Sequence, residues 1–277
     1  NPNQETIELC KINNQAFNTF SNWAKAWSES TGIKIELKKP DIPYKPRKDN
    51  DYMVVSRTPL NIDSTFLLRL RPTKKEWFKS GDLLSLIPEE DHVERLYSIG
   101  KIEDDILLSI KKHEFGICSN YLRSAVKNDS IKGKVKGHKA FRFPKRAKEV
   151  IMISNGAGIA PFLGMINANK KHIKTHLFWG GRTKESFCLY KEMVNKGLDN
   201  NQLSSLYIAY SQEQIHKIYV QDILKEQEDC IINTIQNNGF IMICGSVAMQ
   251  KQVYGVLDAI LKTKLNTSVE YLEKKGR

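Results

Sequence analysis

The stretch Glu149-Val150-Ile151-Met152-Ile153-Ser154, followed at once by Asn155-Gly156-Ala157-Gly158-Ile159-Ala160-Pro161, limits the fold more than any other part of the 277-residue sequence. A β-branched, apolar run bounded by a turn reads as a strand buried on both faces. Proline suits the first turn of a helix, so Pro161 marks where one begins. A strand, a glycine turn and a helix in this order form a corner that can receive a phosphate. The glycines do not follow the G-x-G-x-x-G spacing, so an ordinary dinucleotide fingerprint is not claimed.

The rest of the second half agrees with that corner. Apolar strands at 175–179, 206–210 and 240–244 alternate with helical stretches at 161–171, 186–196, 219–236 and 247–264. This alternation predicts a parallel sheet with helices on both faces. Its strand carboxyl ends carry Asn155-Gly156, Gly180-Gly181-Arg182, Ser211 and Cys244-Gly245-Ser246, which gathers polar and glycine residues on one rim. The first half reads differently. Short candidate strands at Met53–Pro59, Thr65–Pro72, Leu83–Ile87, Arg95–Gly100 and Ile106–His113 suggest a closed antiparallel barrel. The polar segment 127–139 is expected to include a loop. Upstream, 6–12 reads as a strand, 15–29 as an amphipathic helix and 38–50, rich in Pro and Lys, as a linker. The expected division is 1–50 as the remnant of a preceding domain plus linker, 51–145 as the barrel and 146–277 as the α/β domain.

Composition narrows the chemistry. Five scattered cysteines include no C-x-x-C pair, and the six histidines are equally scattered, so no metal or iron–sulfur site is expected. A reducing, cytoplasmic setting fits, or the cytoplasmic face of a membrane if a longer parent chain carries membrane segments. No apolar stretch is long enough to cross a bilayer. The net charge of +12 is spread over both halves. With no nucleic-acid-binding motif, an acidic protein partner is the better expectation.

Two further motifs suit a second cofactor. In Arg95-Leu96-Tyr97-Ser98, the guanidinium matches a phosphate, the phenol ring offers a face for a flat ring, and the serine is small enough to sit beside a reacting atom. In Gly116-Ile117-Cys118-Ser119, glycine permits close backbone approach, and Ser119 is placed to cap a helix over 120–126 whose N-terminus would suit a pyrophosphate. Read singly, each has a plain alternative: a surface arginine, a core tyrosine, an ordinary capped turn.

Together these motifs resemble the ferredoxin–NADP reductase superfamily over about residues 51–277, most nearly the reductase module of diflavin enzymes. The resemblance also rests on Gly180-Gly181-Arg182, Ser211 with Lys217-Ile218-Tyr219-Val220-Gln221, and Cys244-Gly245. It implies a barrel that binds FAD followed by an α/β domain that binds NADPH, with NADH possible. Arg95, Tyr97, Ser98, Ile110, Lys111, Gly116, Ile117, Cys118 and Ser119 would hold FAD. Gly156, Gly158, Ile159 and Pro161 would shape the nicotinamide site. Arg182, Ser211, Lys217 and Tyr219 would hold the adenosine end and its 2′-phosphate. Ser98 and Cys244 would flank the hydride path. Residues 6–29 look like the last strand and helix of a flavodoxin domain, which implies an upstream FMN domain. The implied activity carries hydride from NADPH to FAD and single electrons onward to FMN, haem or iron. A free-standing flavin or ferric-chelate reductase is the alternative enzyme, and a nucleotide-binding docking module the non-enzymatic one. Two positions depart from the family pattern: Gln212 stands where an arginine is usual, and Ser246 where an acidic residue is usual.

Overall fold

The computed structural model describes residues 17–37, 47–88 and 93–276. The strand read at 6–12 and most of the linker read at 38–50 lie outside these residues. Helix α1 (Phe17–Thr31) carries a ladder of stacked rings, Phe20 on Trp23 and Trp23 on Trp27, at centroid separations of 5.5 and 6.3 Å.

Seven antiparallel strands follow: β1 (Asn50–Arg57), β2 (Thr65–Pro72), β3 (Leu83–Leu86), β4 (Arg95–Ser98), β5 (Gly100–Ile102), β6 (Asp105–Lys111) and β7 (Ser130–Lys136). Their order is β4-β3-β7-β1-β2-β6-β5. The two edge strands, β4 and β5, are separated in sequence by Ile99 alone, so the sheet must curl until its edges meet. Period-two patterning supplies the interior. On β2, Phe66, Leu68 and Leu70 are fully buried, while Arg69 and Arg71 point outward and both pair with the buried Asp105.

Segment 127–139 does loop at both ends, at 127–129 and 137–139, but the strand β7 between them was not foreseen. Its lysines alternate with Ile131, Gly133 and Val135, and only the latter face the barrel. Gly133 serves close packing there, because a Cβ would come 2.7 Å from Leu86 Cδ2. The helix expected at 120–126 is also displaced. Helix α2 (Ile117–Ser124) starts earlier, with Gly116 as its N-cap. Ser119 therefore sits inside the first turn, where its hydroxyl donates to the Gly116 carbonyl at 3.0 Å and accepts from the His113 N–H at 3.1 Å.

The second sheet is parallel, β10-β9-β8-β11, built from β8 (Glu149–Asn155), β9 (Lys174–Gly181), β10 (Ser205–Tyr210) and β11 (Phe240–Cys244). Val150 and Met152 of β8 pack with α3 (Ala160–Asn167) and α4 (Lys184–Asp199) on one face. Ile151 and Ile153 pack on the other with α5 (Val220–Glu226), α6 (Glu228–Gln236), α7 (Val247–Leu265) and α8 (Val269–Lys274). The single helix read at 219–236 is two, broken where Gln227 leaves the helical region. The terminal helix α8 was not foreseen. It follows Asn266, whose left-handed φ of 47° ends α7.

The barrel seats on α3 and α4. A Cβ on Gly100 would lie 2.3 Å from the Ala160 carbonyl, and one on Gly164 would lie 2.5 Å from the Lys101 nitrogen. Both glycines therefore let β5 and α3 touch backbone to backbone. Beside this seam the buried hydroxyls of Ser109 (β6) and Tyr190 (α4) hydrogen-bond at 2.8 Å. Among the described residues, no helix is long and apolar enough to cross a membrane.

Candidate functional site

The carboxyl ends of β8, β9, β10 and β11 face the barrel across a cleft of about 730 Å³. Ligands gather at this end of parallel sheets because the loops diverge there and helix N-termini point inward. The barrel wall contributes Asp63, Thr65, Leu96, Tyr97, Ser98, Ser109, Lys111 and His113. The opposite wall contributes Asn155 to Gly158, Gly180 to Arg182, Ser211, Tyr219 to Gln221 and the segment from Cys244 into α7.

On the cleft walls, Ser98 and Cys244 stand close enough for their side chains to interact, although one ends a barrel strand and the other a strand of the parallel sheet. Burial pushes the Cys244 thiol up, and the interaction with Ser98 only partly opposes this, so the group is a neutral thiol. Tyr97 is also held out of ionisation, first by burial and then by Cys118, with which it shares a hydrogen bond.

The glycine corner fits tightly beneath this pair. Gly156 adopts a left-handed φ of +48°. A Cβ on Gly158 would stand 2.3 Å from the Cys244 carbonyl, and one on Gly245 would stand 2.2 Å from Asn155 Oδ1. Asn155 ties the two loops together: its Oδ1 accepts from the Ser246 N–H at 3.0 Å, and its Nδ2 donates to Ser246 Oγ at 3.2 Å. Ser246 also caps α7 by accepting from the Met249 N–H. From below, Trp179 Nε1 donates to the Gly156 carbonyl at 3.1 Å. At the far end, Ser211 Oγ donates to the Gly181 carbonyl at 3.2 Å, and Arg182 Nε lies 3.5 Å from Asp63 Oδ1.

Of the residues singled out from sequence, the cleft walls bring together Tyr97, Ser98, Lys111, Gly156, Gly158, Arg182, Ser211, Tyr219 and Cys244. Others stand behind the walls. Ile110 and Ile159 are core residues of the barrel and the α/β layer. Pro161, Cys118 and Ser119 are buried in the first turns of α3 and α2. Gly116 and Ile117 begin α2, Arg95 stands at the far end of β4 from Ser98, and Lys217 is exposed on the loop after β10. Sequence reasoning passed over Asp63, Ser109 and His113, which carry no local signal and reach the cleft only through the curl of the barrel. Asn155 did carry one, as the polar residue between a buried strand and a glycine turn.

The family model for an oxidoreductase NAD-binding domain matches residues 152–254. The sulfite reductase [NADPH] flavoprotein alpha-component of Shewanella sp. (strain MR-7) is 32% identical over 206 residues, 72% of this chain and 33% of the relative. The nitric oxide synthase of Anopheles stephensi is 36% identical over 173 residues, 58% of this chain and 14% of the relative. The chain thus spans a third or less of these curated relatives. Among solved structures, ferredoxin-NADP+ reductase from Plasmodium falciparum, determined with 2′P-AMP, superposes with a TM-score of 0.65 at 20% identity, covering 77% of this chain and 93% of its own. An antiparallel barrel set against the carboxyl ends of a parallel nucleotide-binding sheet defines an oxidoreductase class. The chain belongs to the ferredoxin–NADP reductase superfamily.

Proposed function

We propose that this chain is a flavoprotein reductase module that takes hydride from NADPH onto FAD and passes electrons singly to a downstream acceptor. The observation that carries the reading is the shared cleft, whose walls bring Ser98 of the barrel and Cys244 of the parallel sheet close together. The residues present fit two flat cofactors. Tyr97 offers a ring at the barrel wall, and a Cβ on Gly156 would meet nothing within 4 Å, so the turn is open to a ligand. When bound, FAD supplies the hydride acceptor and splits the pair into single electrons. Tyr97 would back the flat ring and Ser98 would stand beside it. The neutral Cys244 thiol presents a small, uncharged surface against which a nicotinamide ring can rest near Ser98. Gly156 and Gly158 let the backbone approach the nicotinamide half of the nucleotide, and Arg95 with the start of α2 holds flavin phosphate. Arg182, Ser211, Lys217 and Tyr219 hold the adenosine end.

In this reading 51–145 and 146–277 form the FAD and nucleotide domains, and 1–50 is the remnant of a preceding flavodoxin-like FMN domain plus linker. The stacked rings of α1 suit the end of such a domain. The acceptor is then that FMN domain or an acidic redox protein drawn to the basic chain. The test is spectral. Protein incubated with FAD and desalted is expected to hold a flavin spectrum that bleaches on anaerobic addition of NADPH. A colourless protein, or a flavin that neither NADPH nor NADH bleaches, overturns the reading.

A further inference from the structure

At the adenosine end, the chain's own carboxylates occupy places that suit a ligand anion. Arg182 leaves the end of β9 and would be the nearest guanidinium to a phosphate on the ribose, yet it faces Asp63 of the β1–β2 turn at 3.5 Å. Asp63 is largely shielded from solvent, whereas the Arg182 side chain is half exposed. Two residues along, the Lys184 N–H is the first amide of α4, and its orientation is that of a helix N-terminus receiving an anion. It donates instead to Glu213 Oε1 at 2.6 Å. Thr183 and Ser186 satisfy each other in a capping box, so their two amides in this turn are also taken. The loop that supplies Glu213 also carries the neutral Gln212, and Lys217 extends from it outside the cleft wall. The barrel turn is fixed against the same helix, because Asn61 Nδ2 donates to the Ser186 carbonyl at 3.2 Å. Asp63 is thereby held in place.

We infer that Asp63 and Glu213 are specificity-determining residues that discriminate against a 2′-phosphate. This rests on the reading above that Arg182, Ser211 and Tyr219 receive the adenosine end of the nucleotide. A phosphate dianion entering this corner must displace one carboxylate from Arg182 and settle beside another, and like charges brought together oppose binding. A dinucleotide with a free 2′-hydroxyl meets no such opposition and can use the carboxylates as hydrogen-bond acceptors. The site therefore takes NADH alongside NADPH, and two acids that ligate no cofactor phosphate set the ratio.

The isosteric variants Asp63→Asn and Glu213→Gln remove charge but keep an oxygen that can accept the same hydrogen bonds. Titration of the full chain with 2′-phospho-AMP and with 5′-AMP reads the adenosine end without turnover. Each variant is expected to bind 2′-phospho-AMP roughly threefold or more tighter, the scale of one exposed charge pair, and 5′-AMP within about twofold of the parent. The NADPH-to-NADH ratio of kcat/KM with ferricyanide is expected to rise in step. If the parent binds both nucleotides but neither variant shifts the ratio, Asp63 and Glu213 have no part in selectivity and the inference falls alone. If neither nucleotide binds parent or variants, the placement of the adenosine end falls with it.

Discussion

Ser98 and Cys244 belong to different sheets, so their contact reports on geometry rather than on local folding. Near-attack positioning is sensitive to small displacements. Cys244→Ala and Ser98→Ala are each expected to slow flavin reduction by NADPH in a stopped-flow instrument about tenfold, or about 1.4 kcal/mol of barrier, with flavin content unchanged. Parent-like rates in both would make the pair structural. A second residue-scale prediction concerns His176. It is buried near the amino-terminal end of β9, away from the cleft, with Nε2 2.7 Å from Glu149 Oε1 and Nδ1 2.6 Å from Ser205 Oγ. Burial holds its imidazole below the usual 6.5, despite the opposing bond to Glu149. The unfolded chain therefore takes up this proton first as pH falls, and stability drops from about 6.5 downward until the folded imidazole titrates. Melting temperatures recorded from pH 7.5 to 5.5 are expected to fall, and His176→Gln is expected to flatten that slope. An unchanged slope in the variant would assign the pH dependence elsewhere. Residues such as Gly156 and Cys244 were legible because strand, turn and rim are written consecutively. Asp63 and Ser109 were not, because nothing near them in sequence announces the partner that the barrel brings.

At the scale of elements, the alternation of strand and helix after residue 146 was readable because each buried strand is a continuous apolar run. β7 was not, because lysines occupy its outer face and glycine one inner position, a composition shared with loops. The start of α2 was misplaced because Ser119 is a good cap by type, while the backbone bond from the Asn120 N–H to the Gly116 carbonyl begins the helix earlier. The glycine corner makes a sharper prediction. Gly158→Ala drives a Cβ onto the Cys244 carbonyl, so the turn or the end of β11 must move. A loss of about 1–3 kcal/mol is expected from urea unfolding, together with weaker NADPH binding. Gly255, on the open surface of α7, is the control: nothing lies within 4 Å of a Cβ there, and Gly255→Ala is expected to stabilise by up to about 1 kcal/mol.

At the scale of the molecule, the barrel and the parallel sheet share buried polar and backbone contacts rather than a long linker. Tyr190→Phe leaves the Ser109 hydroxyl without its partner at the seam. It is expected to cost about 1–3 kcal/mol and to increase proteolysis between residues 137 and 148 under native conditions. The curl of the barrel has one more consequence. Ser98 meets Cys244, Ile99 joins the two edge strands, and Gly100 rests on the Ala160 backbone. Three consecutive residues are therefore committed to the contact with Cys244, to barrel closure and to the seam. The two halves cannot part like jaws without breaking the first and the last of these contacts together. On the proposed function, a nicotinamide ring would enter by nudging side chains aside, as through a turnstile, into a scaffold already set before it arrives.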